Sequence, residues 1–249
     1  VILVRMGGQH FEIATFREDG SYEDGRRPES VSFSTSERDA QRRDFTINGL
    51  FYDPVKKTLI DYVGGKSDIE AGVVRAIGKP AERFDEDYIR LLRAIRFATV
   101  LEFDIEESTW ASIRAGASNI SQIAPERIRE ELDRIWVHEN RVRGFDLLVK
   151  SGLMKAIFPE ILELRGCEQP PQWHPEGDVF VHTRLMLSLL PAVVSLPLVL
   201  SVLFHDIAKP ATFSYDPAED RIRFNGHDKL GADMTGEILG RLRLSLIHI

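Results

Sequence analysis

The stretch RFDEDYIRLLRAIRFA, residues 83–98, places acidic and basic side chains where they could recognise a nucleobase. Glu86, Asp87 and Arg90 fall within one turn of a predicted helix, and Arg93 follows three residues later. Carboxylates accept hydrogen bonds from amino groups, and a guanidinium donates to ring nitrogens and carbonyl oxygens. Asp87 and Arg90 could therefore meet the hydrogen-bonding edge of one base. The alternative is a helix start with ordinary salt bridges, which the helix dipole also favours.

A second candidate is RRDFTING, residues 42–49, at a predicted transition from strand to helix. Arg42, Arg43 and Asp44 follow one another there. Because the planar fork of arginine matches phosphate oxygens, this triplet suits contacts to the phosphates or the ribose of a nucleotide. A solvated turn with one salt bridge is the structural alternative.

A set of histidines lies in the last third of the chain. The segment HPEGD, residues 174–178, precedes His182, and His205 is followed directly by Asp206. His227 comes later, in NGHD. Imidazole and carboxylate groups from separate helices are typical of sites for divalent metal ions. Histidines that only satisfy structural hydrogen bonds are the alternative.

The composition excludes several classes of protein. The 249 residues have a net charge of −7, which argues against indiscriminate coating of nucleic acid but permits a local basic groove. The single cysteine, Cys167, rules out an internal disulfide and predicts a buried free thiol in a reducing compartment. Residues 185–204 are uncharged, but Pro191 and Pro197 interrupt them, so we expect two buried helices and no membrane span. A cytoplasmic location is the resulting expectation.

The periodicity of apolar residues predicts an α+β fold. Residues 1–63 are strand-rich, with strands in HFEIATFR and VSFS and a hairpin whose turn lies near residues 53–57. From about residue 67 the pattern is helical, beginning with a capping box formed by Ser67 and Glu70. The helices predicted after this point cover residues 85–101, 106–117, 125–137, 141–151 and 184–208.

Together, these motifs resemble those of the class II tRNA nucleotidyltransferase and bacterial poly(A) polymerase family. Six segments resemble, in order, motifs of that family's head and neck: EIATFR, DGRRPESVSF, RRDFTINGLFYDP, DYVGGKSDI, FDEDYIRLLRAIRFA and PERIREEL. An appended HD-type domain is resembled by HPEGDVFVHT, LFHDIAKP and FNGHDKLGA.

The resemblance also implies a domain organisation. Residues 1–72 would be the C-terminal part of a polymerase β-like nucleotidyltransferase head. Residues 73–172 would form a helical neck and body that selects the nucleotide and binds RNA. Residues 173–245 would form a helical HD-type domain, and residues 246–249 are an unassigned tail.

The reaction that the resemblance implies joins a nucleotide to the 3′ end of tRNA or another RNA. A terminal ribose hydroxyl would attack the α-phosphate of ATP or CTP and release pyrophosphate, assisted by two Mg²⁺ ions. The implied nucleotide contacts are Arg42, Arg43, Asp44, Glu86, Asp87, Arg90 and Arg93, with Asp87 and Arg90 selecting the base. The segment that contains Asp61, Gly64, Gly65 and Asp68 resembles a flexible loop of the family that is coupled to this selection. The implied ligands of a divalent metal in the HD-type domain are His182, His205, Asp206 and His227.

The chain departs from the family pattern at its start. The glycine-rich loop and the aspartate pair that hold the catalytic metals in this family have no match, and VILVRMGGQHFEIATFR resembles the strand pair that follows them. Glu12 resembles an auxiliary carboxylate on that strand pair. We therefore expect little or no transferase activity from this polypeptide alone. The HD-type region is also expected to be cut short, because a later aspartate ligand has no match.

Four functions are open at this point. Two are CCA (or A) addition to tRNA and poly(A) addition by the same family. The third is a metal-dependent phosphohydrolase in which the HD-type site does the chemistry beside an RNA-binding region. The fourth is a non-catalytic RNA-binding module. The phosphohydrolase hypothesis gives no role to RRDFTING or to the acids and arginines near residue 86, so the sequence favours an RNA 3′-end nucleotidyltransferase.

Overall fold

The computed structural model describes residues 2–19 and 30–244, and it confirms the predicted mixture of strands and helices. The chain folds into two compact units. Unit 1 contains Val1–Arg90 and Asp104–Ser112, and unit 2 contains Leu91–Phe103 and Ile113–Ile249. The domain limits implied by the resemblance stay predictions, and the expected tail at residues 246–249 lies outside the described residues.

Strands of unit 1 pair as antiparallel hairpins. The pairs are β1 (Ile2–Met6) with β2 (Gln9–Ile13), β3 (Arg17–Asp19) with β4 (Val31–Phe33), and β5 (Leu50–Asp53) with β6 (Thr58–Asp61). The predicted turn between β5 and β6 is confirmed, because Asp53 Oδ1 accepts the backbone N–H groups of Val55 and Lys56. The expected turn between β3 and β4 lies largely outside the described residues.

The helices of unit 1 are short. They are α1 (Ser36–Gln41), a 3₁₀ turn (Thr46–Asn48), α2 (Gly65–Ala71) and α3 (Pro80–Glu86). Strand β7 (Val73–Val74) follows α2 and pairs in parallel with β8 (Asp104–Ile105). The prediction of helix throughout the chain after residue 67 is therefore wrong at this pair. Two adjacent valines are too short a run to show a period, so the pairing partner decides their conformation.

Helix α2 begins earlier than the predicted capping box. Asp61 Oδ1 accepts the backbone N–H groups of Gly64 and Gly65 at 2.9 and 3.1 Å, which satisfies donors at the helix start. Gly64 has φ = +80°, a left-handed conformation that glycine adopts without strain. Ser67 lies inside the helix and donates to Gly64 O, so the predicted cap at Ser67 is wrong.

The helix predicted over residues 85–101 is interrupted. Helix α3 ends at Glu86, Asp87 is extended with φ = −160° and ψ = 104°, and α4 covers Ile89–Val100. Asp87 Oδ1 accepts the backbone N–H of Ile89 at 3.3 Å, so the acid marks the start of a new helix. The expectation that Glu86, Asp87 and Arg90 share one helical turn is therefore wrong.

Unit 2 is mainly helical. It contains most of α4 and the end of α5 (Glu107–Gly116), which begins in unit 1. The elements that follow are a second 3₁₀ helix (Ala117–Gln122), α6 (Pro125–Trp136), α7 (Arg141–Ser151), α8 (Leu153–Ile157), α9 (Pro159–Glu163), α10 (Val179–Leu189), α11 (Leu196–Phe204), α12 (Lys209–Thr212), β9 (Ser214–Asp216), β10 (Arg221–Arg223) and α13 (His227–Arg241). The β9–β10 hairpin is a second exception to the all-helical prediction. Helix α6 buries Ile128, Leu132, Ile135 and Trp136 on one face.

The uncharged stretch 185–204 forms parts of α10 and α11, as predicted, with Pro191 between them. No helix within the described residues is long and apolar enough to cross a membrane. The buried guanidinium of Arg141 donates to the carbonyl oxygens of Pro191 and Ala192 at 3.0 and 3.1 Å and so holds the connecting segment. Cys167 is buried, as expected, and burial raises the pKa of its thiol.

Candidate functional site

The paired arginines of RRDFTING are held by a carboxylate that precedes them. Asp39, on α1, is 3% exposed. Its Oδ1 accepts from Nη2 of Arg42 at 2.7 Å, and its Oδ2 accepts from Nη2 of Arg43 at 3.1 Å. Burial alone would raise the pKa of Asp39, but these hydrogen bonds lower it. Asp39 therefore remains ionised and fixes both guanidinium groups.

Asp44 has a different environment. It is 7% exposed, and its Oδ1 accepts from the backbone N–H of Phe45 at 2.9 Å and from Nδ2 of Asn48 at 2.8 Å. Arg43 also donates to Asn48 O at 2.7 Å and lies over the ring of Phe51 at 4.8 Å. Asp44 thus holds the 3₁₀ turn together, while Arg43 links that turn to α1.

Glu86 and Arg90 pair although a helix break separates them. Nη1 of Arg90 donates to Glu86 Oε2 at 2.5 Å and to Arg83 O at 2.7 Å. The same Glu86 oxygen accepts from Nη1 of Arg83 at 2.9 Å. Nη2 of Arg90 lies 3.5 Å from Arg42 O, so the two predicted nucleotide motifs meet in unit 1.

Arg93 belongs to unit 2. Its Nη1 lies 3.7 Å from Oε1 of the buried Glu131, whose other oxygen is 2.7 Å from Nε of Arg96. The guanidinium of Arg93 also lies 5.4 Å from the centre of the Phe97 ring. The structure therefore places Arg93 in an ion-pair network on α4 and α6.

The predicted loop residues form an ordered helix start. Asp61 accepts four backbone N–H groups at the beginning of α2. Burial alone would raise the pKa of its carboxyl, but these hydrogen bonds lower it. Asp68 is buried and accepts from Thr46 Oγ1 at 2.7 Å and from Nε of Arg75 at 3.1 Å. Gly65 packs so closely that a Cβ would lie 2.2 Å from Thr46 O. These residues position α2 against the turn of RRDFTING, and their predicted role in nucleotide selection stays a prediction.

Glu12 lies on β2, opposite Leu3 of β1, with an exposed side chain. Within the described residues, groups of three side chains that could hold a metal ion occur around the histidines of unit 2 and do not include Glu12. The expectation that Glu12 alone cannot assemble a two-metal site stays a prediction, and Glu12 has no partner ligands among the groups found in the described residues.

The predicted histidine set does converge. Asp206 is 5% exposed, and its Oδ2 lies 3.1 Å from Nε2 of His205 and 4.0 Å from Nε2 of His182. Nε2 of His227 lies 4.0 Å from Asp206 Oδ1. Lys209 donates to Asp206 Oδ2 at 2.7 Å. Burial opposes ionisation of Asp206, but hydrogen bonds with His205 and Lys209 hold its pKa below the ordinary range.

In each of these three histidines the other ring nitrogen has an acceptor of its own. Nδ1 of His182 lies 2.5 Å from Glu176 Oε1, Nδ1 of His205 lies 2.8 Å from Val202 O, and Nδ1 of His227 lies 2.7 Å from Phe224 O. In His182 and His227 an acceptor at Nδ1 selects the tautomer whose Nε2 carries a lone pair. Nε2 of His205 instead donates to Asp206 Oδ2, so a bound metal would have to replace that proton. Once His205 has lost its Nε2 proton, the three imidazoles and the Asp206 carboxylate match the donor set of a divalent transition metal.

Glu176 connects the HPEGD segment to this cluster. Its Oε1 also lies 3.1 Å from Nδ1 of His174. The backbone N–H of Glu176 and the ring of His182 lower the pKa of the Glu176 carboxyl to about 2. Glu176 is thus an ionised carboxylate placed behind a candidate metal ligand.

The sequence alone assigned no role to several residues of both clusters. They are Asp39, Arg83, Glu176 and Lys209. Asp39 was detectable, because an acid three and four residues before two arginines on a helix favours ion pairs. The role of Arg83 was not detectable, because most of the acceptors of its hydrogen bonds are backbone carbonyl oxygens.

The strand-rich unit 1 with its arginine–carboxylate cluster is the architecture of a nucleotidyltransferase head. Family models agree: residues 1–75 match "Poly A polymerase head domain". Residues 102–164 match "Probable RNA and SrmB- binding site of polymerase A". The chain belongs to the class II tRNA nucleotidyltransferase and bacterial poly(A) polymerase family.

Individual relatives are CCA-adding enzymes. The chain is 35% identical over 198 residues to that of Limosilactobacillus reuteri (strain DSM 20016), which covers 76% of this chain and 47% of the relative. It is 40% identical over 157 residues to that of Streptococcus gordonii, covering 63% and 39%. The crystal structure of the Bacillus stearothermophilus CCA-adding enzyme in complex with CTP is similar with a TM-score of 0.58 and 31% identity, covering 66% and 40%. The chain thus spans about half the length, or less, of these curated relatives.

Proposed function

We propose that this chain forms the nucleotide-selecting part of an enzyme that adds C and A to the 3′ end of tRNA from CTP and ATP, with release of pyrophosphate. The observation that carries this proposal is the meeting of two motifs in unit 1. Arg83 and Arg90 share one oxygen of Glu86, and both reach toward Arg42 O. The curated relatives described above are CCA-adding enzymes, and their names support the same substrates.

The cluster is suited to selecting a base. Glu86 holds the guanidinium of Arg90 in one orientation, and a fixed guanidinium can donate two parallel hydrogen bonds to a planar ligand. Asp87, half-buried at the helix break three residues before Arg90, supplies a carboxylate in the same segment. Arg42 and Arg43, fixed by Asp39, suit the phosphates. We infer a cytoplasmic location, where the free thiol of Cys167 would remain reduced.

Nucleotide transfer needs Mg²⁺, and the groups of candidate metal ligands found in the described residues lie in unit 2. A divalent ion in unit 2 would be held by His182, His205, Asp206 and His227. When bound there, such an ion would polarise a phosphate oxygen and acidify a water molecule. The residues of this chain contribute the oriented imidazoles, and Lys209 holds the Asp206 carboxylate in place.

Binding of nucleotides tests the proposal directly. We expect CTP and ATP to bind more tightly than GTP and UTP in calorimetric titrations of the full chain. Asp87→Ala and Arg90→Ala should reduce this preference by about tenfold, the value of one good set of base contacts. Asp85→Ala, which removes an exposed acid two residues away, should leave it unchanged. Equal affinity of the wild-type chain for all four nucleotides would refute base selection.

Transfer is tested separately. We expect the chain alone to incorporate little label from ATP into tRNA that lacks its 3′ end, in the presence of Mg²⁺. Robust incorporation would refute that expectation. If active protein is obtained, comparing CTP with ATP on tRNA and on an unstructured RNA distinguishes CCA addition from poly(A) addition.

A second candidate function is phosphate-ester hydrolysis, favoured by the convergence of imidazoles on Asp206. The chain should then hydrolyse bis(p-nitrophenyl) phosphate when Mn²⁺ or Ni²⁺ is supplied. His205→Ala should abolish this activity, while His10→Ala, which alters an exposed histidine of β2, should not. Hydrolysis that persists in His205→Ala would eliminate the candidate.

A further inference from the structure

We propose that Arg83 is a positioning residue for base selection, acting through Glu86 and the Arg42 backbone. This inference rests on the proposed function. Arg83 lies on α3, three residues before Glu86; it is the first residue of the stretch 83–98, but no nucleotide contact is implied for it.

The guanidinium of Arg83 ties together three segments of unit 1. Its Nη2 donates to Gln41 O at 2.9 Å and its Nη1 to Arg42 O at 3.3 Å, both at the end of α1. Its Nε donates to Ile77 O at 3.2 Å, in the segment before α3. Because the guanidinium is planar and rigid, these three carbonyls fix its plane.

The same side chain sets the position of Glu86. Nη1 of Arg83 donates to Glu86 Oε2 at 2.9 Å, and the Arg90 guanidinium shares that oxygen at 2.5 Å. Arg90 also donates to the backbone oxygen of Arg83 at 2.7 Å. A displaced Arg83 would therefore move the acceptor that orients Arg90, without itself touching the base.

Burial makes this arrangement strong. The side chains of Arg83 and Glu86 are 15% and 27% exposed, so solvent screens their attraction less than it does at the surface. A lysine at position 83 would keep the charge but could not hold three carbonyls in one plane. Arg83→Lys thus removes the geometry and retains the electrostatics.

A direct contact between Arg83 and the triphosphate is the competing explanation, since Arg83 also lines an open cavity of about 490 Å³ with Gln41 and Arg75. The two roles differ in what a substitution changes. Loss of a phosphate contact would weaken the binding of all nucleotides and of inorganic tripolyphosphate alike. Loss of positioning weakens the preference among bases and leaves tripolyphosphate affinity nearly unchanged.

The experiment measures dissociation constants of the full chain for CTP, ATP, GTP, UTP and tripolyphosphate by calorimetry. We expect Arg83→Lys to lower the preference for CTP and ATP by about tenfold while tripolyphosphate affinity changes less than about twofold. Glu86→Gln, which keeps an acceptor but removes the charge, should have the same effect, and it serves as the test if Arg83→Lys does not fold. The control is Glu82→Gln, which breaks the exposed Lys79–Glu82 pair on the same helix.

The outcomes separate cleanly. Unchanged base preference in Arg83→Lys, or in Glu86→Gln where that variant is the test, would overturn the positioning role while leaving the proposed function intact. An equal loss of affinity for all ligands, tripolyphosphate included, would overturn the positioning role and indicate that Arg83 contacts phosphate directly. A wild-type chain with no base preference would overturn the proposed function and this inference with it.

Discussion

The two clusters of this protein orient their side chains in opposite ways. In unit 1, acids and backbone carbonyls hold arginines, so that the directions of their N–H donors are fixed. In unit 2, acceptors hold the Nδ1 side of three imidazoles, so that their Nε2 atoms face one carboxylate. Fixed donors suit an organic anion or a base, and convergent lone pairs suit a cation.

The two clusters also depend on the fold to different degrees. The arginines of unit 1 rely on a buried acid and on close backbone packing between α2 and the 3₁₀ turn. Each imidazole of unit 2 relies on one neighbouring acceptor. We therefore expect substitutions in unit 1 to affect stability first, and substitutions in unit 2 to affect ligand affinity first.

The largest effect should follow Gly65→Ala. The new Cβ would lie 2.2 Å from Thr46 O and 2.9 Å from Thr46 C, atoms of the backbone that cannot move aside cheaply. We expect a loss of about 3 kcal/mol in the free energy of unfolding, measured with urea. Gly236→Ala in α13 is the control, because nothing lies within 4 Å of its Cβ and alanine favours a helix. Equal stability of the two variants would contradict the close packing in unit 1.

The next largest effect should follow Asp39→Asn. Two guanidinium groups would lose their charged partner in a largely buried site, at a cost of about 2 kcal/mol in the free energy of unfolding. Glu37→Gln removes the same charge from an exposed position of α1 and should cost little. A similar loss of unfolding free energy in both variants would show that net charge, and not the pairing with the arginines, determines the stability.

The effect of Asp39 should depend on pH. Its folded pKa is lowered, so its contribution to stability is full above the unfolded pKa and is lost as pH falls through the folded pKa. The difference in unfolding free energy between wild type and Asp39→Asn should therefore be constant near neutral pH and shrink below about pH 4. A difference that grows on acidification would contradict the assigned pairing.

In unit 2, Glu176→Gln should weaken metal binding. The uncharged amide oxygen would accept from Nδ1–H of His182 more weakly than the carboxylate does, and a weakened outer partner of this kind lowers metal affinity by about tenfold. Titration of the metal-free chain with Mn²⁺ or Ni²⁺ measures this, with Glu168→Gln as an exposed control. Unchanged affinity would contradict the orienting role, and binding of two ions by the wild type would indicate that Glu176 is itself a ligand.

The smallest effect concerns the start of α2. Asp61→Ala should cost about 1 kcal/mol in the free energy of unfolding, because four backbone N–H groups lose their acceptor. Ser67→Ala should cost almost nothing, since Ser67 donates to Gly64 O at an exposed site and caps no donor. A larger loss of stability in Ser67→Ala than in Asp61→Ala would support the capping box expected from the sequence.

The sequence by itself determined the α+β class, the helices with strong apolar periodicity and the residues with suitable chemistry. The prediction for residues 125–137 is close to the observed α6, and the two-helix prediction for 184–208 is confirmed in outline. Local patterns suffice in these cases, because a 3.6-residue apolar period and a proline act within a few residues. Order of the family motifs along the chain also determined the family, which the comparisons confirm.

Only the tertiary structure decided how the functional groups are held. The break at Asp87, the pairing of β7 with β8 and the cap by Asp61 depend on partners that no local pattern identifies. Arg83 is the clearest case, since its acceptors are carbonyl oxygens of residues 41, 42 and 77. Every residue carries a carbonyl oxygen, so a sequence cannot show which of them a guanidinium will meet until the chain has folded.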